Sequence, residues 1–547
     1  MSTDVSAGVR LGASQRAVAA AAAAGPTLIV TRRRVATVAG LATLAATVGA
    51  LVGLTLHANG GSFTYVIDDP YIHLSMARNL AVHGSYGVVP GVYESASSSP
   101  GWVAMLAALI RVGPGAAEWF PLALNLLAAA GVLVLVLRAQ SFLFTLPHAL
   151  LRGAAYVLLP VALYLPALVL LGMEHTLHAL LVVGLLLMLQ RALRRRLSRR
   201  ELLGLAALAL VAGAIRYETL FVAGGAALAL LVVPSASPRE CLARLRRPEL
   251  WAFLLPPLLV TAGLGAVNLA HGQYFLPNSV LAKSGLGSGQ GLAAWVPPLH
   301  AVVDTLSSDL QVLALLGAGL VYLVLRRTRG AQSGLWVAWC AAVLVHAAYA
   351  RFGWYDRYQG YLLIGGTLLA LRSLPEVRPL AARRLVPAAA ATLVLLGALP
   401  APKLGEQVTA PVAAHDIQRN QQELGRFLAA AYPGQTVMVN DIGEVSWLHR
   451  GGLVDIWALG SYEVLQAYRT GAMDRAFVAA LAARSGVQVA AVYGVLHTYI
   501  PDGWVEVARW PSSGVAGAPP DDRDVVFYAP SPGQAALLRT KLEQFAR

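Results

Sequence analysis

Charged residues are scarce in this 547-residue chain: Asp, Glu, Lys and Arg make up only 13% of it, whereas 57% of its residues are hydrophobic. Soluble domains carry about 25% charged residues and about 45–50% apolar ones, so this composition argues against a soluble globular protein. The chain has only two cysteines, Cys241 and Cys340, which is too few for a disulfide framework. Neither cysteine lies in a sequence pattern that is typical of a metal site.

Long apolar runs recur along the first 400 residues and predict a polytopic α-helical membrane protein. Several of these runs are short and would need tilt or a locally thin bilayer. We predict about eleven transmembrane helices followed by a C-terminal soluble α/β domain. The predicted crossings lie near 35–57, 120–138, 153–172, 176–191, 202–215, 219–233, 251–270, 310–325, 334–350, 358–372 and 385–400.

Arginine supplies most of the net charge of +14, and it is concentrated between alternate crossings. Loops rich in Lys and Arg mark the cytoplasmic side of membrane proteins. The basic segments therefore predict a multi-pass protein of the cell membrane with a cytoplasmic N-terminus. No basic face interleaved with aromatic residues is present, so nucleic-acid binding is not predicted. The basic segments are 191–201, 239–247, 326–329 and 372–384.

These patterns predict three parts. Residues 1–34 form a cytoplasmic segment leading into a signal anchor that is not cleaved. Residues 35–400 form the membrane domain, with a first outer loop at 58–100 and a re-entrant or interfacial apolar segment at 100–113. Because eleven is odd, residues 401–547 are predicted to lie outside the cell. That part should open with a polar helix at 415–430. We predict four strands after it, at 436–440, 452–456, 487–494 and 524–530.

Unusual polar residues fall at the outward ends of the predicted helices, whereas the cytoplasmic loops are plain Arg-rich sequence. Ionisable residues at a membrane are costly and commonly functional. We therefore expect a cavity that opens outward beneath the C-terminal domain. Each position also has a simpler interpretation, such as a helix cap, an interfacial ion pair or a solvated loop residue. The candidates are Asp68, Asp69, His73, Glu174, His175, Arg216, Glu218, Asn278, Lys283 and Arg357.

The local sequence predicts different roles for the two aspartates that follow the first crossing. Pro70 suits the first position of a helix, which would make Asp69 the N-cap residue with its carboxylate on backbone N–H groups. Asp68 would then be free to point into the cavity. We expect Asp68 to be the base and Asp69 its structural support.

A site outside the cell cannot draw on cytoplasmic nucleotides, and the sequence has no P-loop or Rossmann fingerprint. A pre-activated lipid-phosphate sugar would supply the energy instead. Arg216, Lys283 and Arg357 are candidates for binding its phosphate, and an aspartate would take the proton of the attacking hydroxyl. We predict no cofactor and assign no metal ligand, and the sequence leaves a metal requirement open. The remaining candidates are assigned to substrate binding: Glu174, His175, Glu218, Asn278 and His73.

The segments "IDDPYIHLSMARNLAVHG", "ESASSSPGW", "GMEHTL", "RYETL", "FLPNSVLAKSG" and "NDIGEVSWLHRGGLVDIWALGS" resemble the membrane glycosyltransferases of the GT-C superfamily. They are most similar to the terminal arabinofuranosyltransferases of the mycobacterial cell wall. The resemblance implies a catalytic acid at Asp68 or Asp69. It also implies a polyprenyl-phosphate arabinofuranose donor, a cell-envelope glycan acceptor, arabinogalactan biogenesis and inversion of the anomeric centre.

Two other classes of function stay open. A transporter or flippase for an envelope precursor would also be polytopic, but it should show internal repeats and ionisable residues near the bilayer centre. A non-catalytic scaffold with a glycan-binding outer domain would explain the C-terminal part but not the acids of the first loop.

Overall fold

The fold is described from a computed structural model of the chain. It describes residues 26–146, 148–234, 237–284, 297–326, 330–353, 355–377, 394–511 and 524–545. The prediction for residues 1–25 lies outside this part of the chain, as does most of the predicted crossing at 385–400.

The described residues between 26 and 377 form mainly helices. In chain order the helices are Pro26–Ala58 (α1), Asp69–His83 (α2), Pro100–Val112 (α3), Phe120–Ala139 (α4), Ala149–Ala162 (α5), Leu165–Leu170 (α6), His175–Arg194 (α7), Arg199–Ile215 (α8), Thr219–Val232 (α9), Pro238–Arg244 (α10), Pro248–Ala270 (α11), Asn278–Ser284 (α12), Leu299–Ser307 (α13), Leu310–Arg326 (α14), Ala331–Tyr349 (α15) and Gly360–Val377 (α16). Short turns of tighter helix cover Pro114–Trp119 and Phe142–Thr145.

Within the described ranges, six helices are long and apolar enough to cross a membrane. The count becomes seven if α13 and α14, which are bent by 105° at their junction, form one broken span. The chain is therefore a membrane protein, but the eleven predicted crossings are not confirmed. The six candidates are Leu28–Ala58, Pro114–Ala139, Ala149–Leu170, His175–Arg194, Pro248–Ala270 and Ala331–Tyr349.

Helix length explains most of the difference between the eleven predicted crossings and the six candidate spans. A crossing needs about 20 residues, because each residue adds about 1.5 Å and the hydrocarbon core is about 30 Å thick. The predicted crossings at 202–215 and 219–233 correspond to helices of only 17 and 14 residues. The segment at 100–113 forms a 13-residue helix, which is likewise too short to be among the six.

The C-terminal region is mixed α/β. Its helices are Ala401–Ile417 (α17), Glu423–Ala431 (α18), Gly443–Leu448 (α19), Tyr462–Thr470 (α20), Arg475–Ser485 (α21) and Pro532–Gln544 (α22). Its strands are Thr436–Val439 (β1), Leu453–Asp455 (β2), Val487–Tyr493 (β3), Val505–Trp510 (β4) and Val525–Ala529 (β5). All four predicted strands are confirmed, whereas β4, with the sequence "VEVARW", was not predicted. The predicted polar helix at 415–430 is divided between α17 and α18 by a wider helical turn at Gln418–Gln422.

The described strands form one sheet in the order β2-β1-β3-β5-β4. Strand β1 pairs in parallel with β2 and β3, and β5 runs antiparallel to both β3 and β4. The parallel strands all end on the same edge of the sheet, where loops of α/β proteins commonly carry functional residues. In this chain that edge faces the loop before α2.

The sheet shares a hydrophobic core with the loop and helices that follow α1. Tyr65 and Trp102, from the loop and from α3, are fully buried in one cluster with Phe427, Val437 and Phe527 of the C-terminal region. The two parts therefore pack as one unit, which fixes the position of the residues lying between them.

Close helix packing gives a first test. A Cβ added to Gly225 on α9 would lie 2.2 Å from the carbonyl oxygen of Ala338 on α15, whereas a Cβ on neighbouring Gly224 would meet nothing within 4 Å. We expect Gly225→Ala to cost about 1–3 kcal/mol through overpacking. Gly224→Ala should be neutral or stabilising, because alanine favours helix by about 1 kcal/mol. Thermal unfolding of both variants in detergent measures the difference. Equal midpoints would contradict this packing.

Candidate active site

Asp68 joins the loop before α2 to the C-terminal region. Its carboxylate accepts hydrogen bonds from the backbone N–H groups of Gly443, at 2.6 Å, and Glu444, at 2.8 Å. These groups open α19, so Asp68 caps a helix that lies far away in sequence. Asp68 is also the N-cap residue of α2, yet its side chain makes no cap bond there. The prediction that Asp69 caps α2 while Asp68 stays free is therefore wrong, because α19 supplies amides that no local pattern reveals.

The other end of α19 is held by the same partner helix. Arg78 on α2 donates to the carbonyl oxygens of Trp447, at 2.6 Å, and Ser446, at 2.8 Å. Its guanidinium also lies 4.5 Å from the centre of the Trp447 ring. An acid at the N-terminus and a base at the C-terminus of a helix both complement its dipole. Helix α2 thus holds α19 at both ends.

The contact leaves no room for a side chain at Gly443. A Cβ at this residue would lie 2.1 Å from the backbone oxygen of Asp68. Burial, with the nearby carboxyl of Asp441, raises the pKa of Asp68 to about 8, although the amides of Gly443 and Glu444 act in the opposite direction. A carboxyl group with both oxygens bonded to backbone amides is poorly placed to act as a base.

Asp69 lies between two cations. Its Oδ2 is 2.6 Å from Arg357, which precedes α16, and 3.3 Å from the Nζ of Lys283 on α12. The Asp69 side chain keeps 23% of its surface exposed, so this group is reachable from outside the fold. Burial raises the pKa of Asp69, but Arg357 and Lys283 outweigh that effect and hold the pKa well below its usual range. The three groups carry a net charge of +1.

Arg216 forms the centre of a second cluster, in which anions outnumber cations. Its Nη1 donates to Glu174 at 2.5 Å, and its Nε donates to Glu218 at 2.9 Å while Nη2 also bonds that carboxylate. All three residues are buried. Burial raises the pKa of Glu174 and of Glu218, but Arg216 and the other neighbouring groups together lower both, which favours the ionised carboxylates. This arrangement uses the donors of Arg216 within the protein and leaves little for a phosphate.

Further polar groups complete the surroundings of Glu174. Ser99 donates to its Oε1 at 2.7 Å, and the Nδ1 of His73 lies 3.5 Å from its Oε2. The other ring nitrogen of His73 is 3.0 Å from the hydroxyl of Ser97. Burial lowers the pKa of His73, which favours the neutral imidazole. The Nε2 of His175 lies 2.9 Å from the Nη1 of Arg216.

Asn278 ties the start of α12 to the loop after α2. Its side-chain amide donates to Glu94 at 3.2 Å, and its backbone N–H donates to the carbonyl of Ser95 at 3.0 Å. Glu94 also accepts from Gln273 at 3.0 Å and from the backbone of Tyr462 at 3.2 Å. These bonds fix the helix that carries Lys283.

The ten residues predicted from the sequence thus fall into neighbouring groups. Asp69, Lys283 and Arg357 meet in one cluster, while Glu174, Arg216, Glu218, His73 and His175 meet in the other. Tyr358 lies between the clusters: its ring centre is 4.8 Å from the guanidinium of Arg357 and 5.8 Å from that of Arg216. Asp68 and Asn278 lie at the edges and hold the surrounding segments.

Several residues of this region were missed. Tyr358 follows Arg357 directly and Ser99 lies in the segment "ESASSSPGW", but neither was among the predicted site residues. Gly443 and Asp441 belong to the segment "NDIGEVSWL", where an acid and a glycine before a helical run could have signalled a contact. Among the residues that the structure describes, no group of three or more His, Cys, Asp or Glu side chains is arranged to hold a metal ion.

Comparisons with known proteins give one family match. Residues 412–528 match a protein family described as a domain of unknown function (DUF8728). No curated protein sequence matches the chain.

The solved structures with a similar fold include oligosaccharyltransferases of Archaeoglobus fulgidus. The apo form has 13% identity and a TM-score of 0.47, with 92% of this chain and 78% of that chain covered. The complex with zinc and sulfate has 12% identity and a TM-score of 0.44, with 89% and 73% covered. The complex with an inhibitory peptide and a dolichol-phosphate has 13% identity and a TM-score of 0.42, with 84% and 69% covered. A likeness at this level assigns no activity, so the function must be argued from the residues of this chain.

The buried position of Arg216 predicts a large effect on stability. Arg216→Gln would leave two buried carboxylates without their partner, and breaking a buried ion pair costs about 3–5 kcal/mol. Arg195→Gln is the matched control, since Arg195 makes a similar two-bond pair with Glu201 but is 55% exposed. Exposed pairs contribute little. We expect a marked fall in the unfolding midpoint for Arg216→Gln only, and similar midpoints would show that its cluster is not buried.

The contact at Gly443 predicts a second difference. Gly443→Ala should push α19 away from Asp68 and cost about 1–3 kcal/mol. Gly533→Ala is the control, because Gly533 also lies in the first turn of a helix of this region but a Cβ there meets nothing within 4 Å. Thermal unfolding and trypsin sensitivity report the separation of the two parts. If both variants behave as the parent does, Asp68 does not approach α19 this closely.

Proposed function

We propose that this protein is a membrane glycosyltransferase that moves a sugar from a polyprenyl-phosphate donor to a glycan acceptor. The observation that carries the proposal is the placement of a reachable, ionised Asp69 between Arg357 and Lys283. Such a group offers both a base and a phosphate-binding pair. The net charge of +1 would attract an anionic donor.

The phosphate of the donor would compete with Asp69 for the two cations. Arg357 can bind phosphate oxygens through two parallel N–H groups, and Lys283 acts as a mobile positive charge, consistent with its 41% exposed side chain. Once the phosphate neutralises these cations, the pKa of Asp69 should rise toward its usual range. Donor binding would thereby turn a poor base into a better one.

The transfer step then needs one base and one leaving group. The acceptor hydroxyl attacks the anomeric carbon, a new C–O bond forms, and the bond between the sugar and the phosphate oxygen breaks. The hydroxyl proton passes to the carboxylate of Asp69, and the polyprenyl phosphate leaves with the bonding electron pair. A single displacement of this kind inverts the anomeric centre. Arg357 and Lys283 would stabilise the charge that develops on the leaving phosphate.

The second cluster takes a supporting role in this proposal. Arg216 is held by Glu174 and Glu218, so we assign the phosphate to Arg357 and Lys283 instead. His73, His175 and Asn278 surround the same region and remain candidates for contacts with the sugars. Asp68, expected from the sequence to be the base, is assigned to the docking of α19.

The finer assignments rest on the sequence resemblance. We propose arabinofuranose as the sugar transferred and a cell-envelope glycan, arabinogalactan, as the acceptor. We further propose that residues 401–547 and the site face the outside of the cell membrane, with the N-terminal segment in the cytoplasm and residues 35–400 as the catalytic membrane domain. The Arg-rich segments support this orientation.

Sugar transfer by purified protein, with a panel of polyprenyl phosphosugars including the arabinofuranose donor, tests the proposal. Asp69→Asn should lower transfer about 10²–10⁴-fold, the usual contribution of a positioned base. Asp304→Asn, the same change at an exposed position on α13, should leave transfer unchanged.

The Asp68→Asn variant distinguishes the role of Asp68 from that of Asp69. It should weaken transfer less than Asp69→Asn and should lower the unfolding midpoint, because an amide cannot accept both backbone bonds of α19 with its single oxygen. Full transfer by folded Asp69→Asn protein would overturn the proposed base. Absence of transfer by the parent from every donor would overturn the proposed activity.

A further inference from the structure

We infer that Lys403, together with Asp309, Asp356 and Gln359, is a positioning device for Arg357. The inference rests on the proposed function, since it concerns the cation assigned to the donor phosphate. It concerns residues that none of the sequence patterns singled out and that lie outside both clusters of the candidate site.

The backbone before Arg357 adopts an uncommon conformation. Tyr355 and Asp356 have φ values of 59° and 53°, which place two successive residues with side chains in the left-handed region. L-residues avoid this region because the Cβ crowds the backbone, and such turns persist only where their surroundings hold them. The turn brings Arg357 to Asp69, so whatever holds the turn also sets the position of this guanidinium.

The holding contacts come from a buried network. Lys403 on α17 lies 2.8 Å from the Oδ2 of Asp356 and 2.6 Å from the Oδ2 of Asp309. Gln359 donates to the same two acids, at 2.6 Å to Asp356 and 3.0 Å to Asp309, and its side-chain oxygen accepts from the backbone N–H of Gly353 at 3.0 Å. The network therefore bonds the turn on both sides of Asp356.

Asp309 anchors this network to a regular helix. Its Oδ1 accepts from the backbone N–H groups of Gln311, at 2.9 Å, and Val312, at 3.0 Å, which open α14. One carboxylate thus caps α14 and binds Lys403. Helix α17 is fixed nearby as well, since Glu406 accepts from the hydroxyl of Tyr164 at 2.5 Å. The turn before Arg357 is held between two packed helices.

Lys403 is the centre of this arrangement, because its single positive charge pairs with two buried acids at once. Without its charge, Asp309 and Asp356 would repel each other across Gln359, and the left-handed turn would lose its support. Arg357 would then sample other positions, and the distance between its guanidinium and the donor phosphate would vary.

Hydrogen exchange tests this inference without any transfer assay. In Lys403→Met protein, peptides containing Gly353 should exchange at least about tenfold faster than in the parent, because their protection depends on the closed turn. Lys541→Met is the matched control, since Lys541 on α22 bonds a backbone carbonyl in the C-terminal region, far from the network. Lys403→Arg should restore slow exchange. Equal exchange in Lys403→Met and Lys541→Met would overturn the inference.

If Lys403→Met does not fold, Gln359→Met takes its place, because it removes the amide bonds to both acids without changing charge. The same acceleration at Gly353 is expected and its absence is again decisive against the network.

A double-mutant cycle tests the link to Arg357. Lys403→Met should lower the transfer rate at low donor concentration about 10–100-fold in the parent but have little further effect in an Arg357→Gln background. Losses that multiply in the double variant would show that Lys403 stabilises the fold in general and does not act through Arg357. A parent without transfer activity would refute the proposed function, while the exchange experiment would still decide whether Lys403 holds the turn.

Discussion

The contact between α2 and α19 is the interaction on which the candidate site depends. Asp68 binds the amides at one end of α19, and Arg78 binds the carbonyls at the other, so a six-residue helix is fixed at both ends by one partner. A helix this short has no stability of its own in water. Its position, and with it the edge of the sheet that follows, is decided by those four bonds and by the absence of a side chain at Gly443.

Two clusters of charged residues lie side by side, one with an excess of negative charge and the other with an excess of positive charge. Around Arg216 two carboxylates share one cation, and burial makes this arrangement rigid and costly to disturb. Around Asp69 two cations share one carboxylate, and the side chain of Lys283 is partly exposed. In the proposed function this difference separates Arg216, which supports the fold, from Arg357, which is assigned to the donor phosphate. Tyr358 contacts both guanidinium groups and keeps the clusters adjacent.

The proposed chemistry follows from this asymmetry. A carboxylate held by two cations is a weak base until an anion takes those cations, so binding of the donor and activation of the acceptor hydroxyl would be linked through the same three side chains. The pKa of Asp68 is shifted in the opposite direction, because burial and the nearby Asp441 raise it. Adjacent aspartates in one sequence thus have their pKa values shifted in opposite directions by different neighbours.

Much of the architecture could be predicted from the sequence, since hydrophobic length and period 2 are local properties. Helix α7 and strand β3 match their predicted ranges closely for this reason. The count of crossings could not be predicted in the same way: helices such as α9 are apolar throughout, yet their length is set by turns and packing partners that hydropathy does not record. Strand β4 was missed because its pairing with β5, not its own composition, makes it a strand.

The sequence by itself determined a membrane protein with an α/β C-terminal region and a set of polar residues, among them Asp69, Lys283 and Arg357, concentrated at one end of the helices. Only the tertiary structure decided which of these residues meet. It gave Asp68 a capping role that was expected of Asp69, because amides about 375 positions away in the chain bind Asp68, and it placed Asp69 beside Arg357 and Lys283. It also placed Arg216 among acids and brought Lys403 to the turn before Arg357. The physical reason is the same in each case: a charge in a folded protein is governed by what lies within a few ångströms, and long-range packing chooses those neighbours.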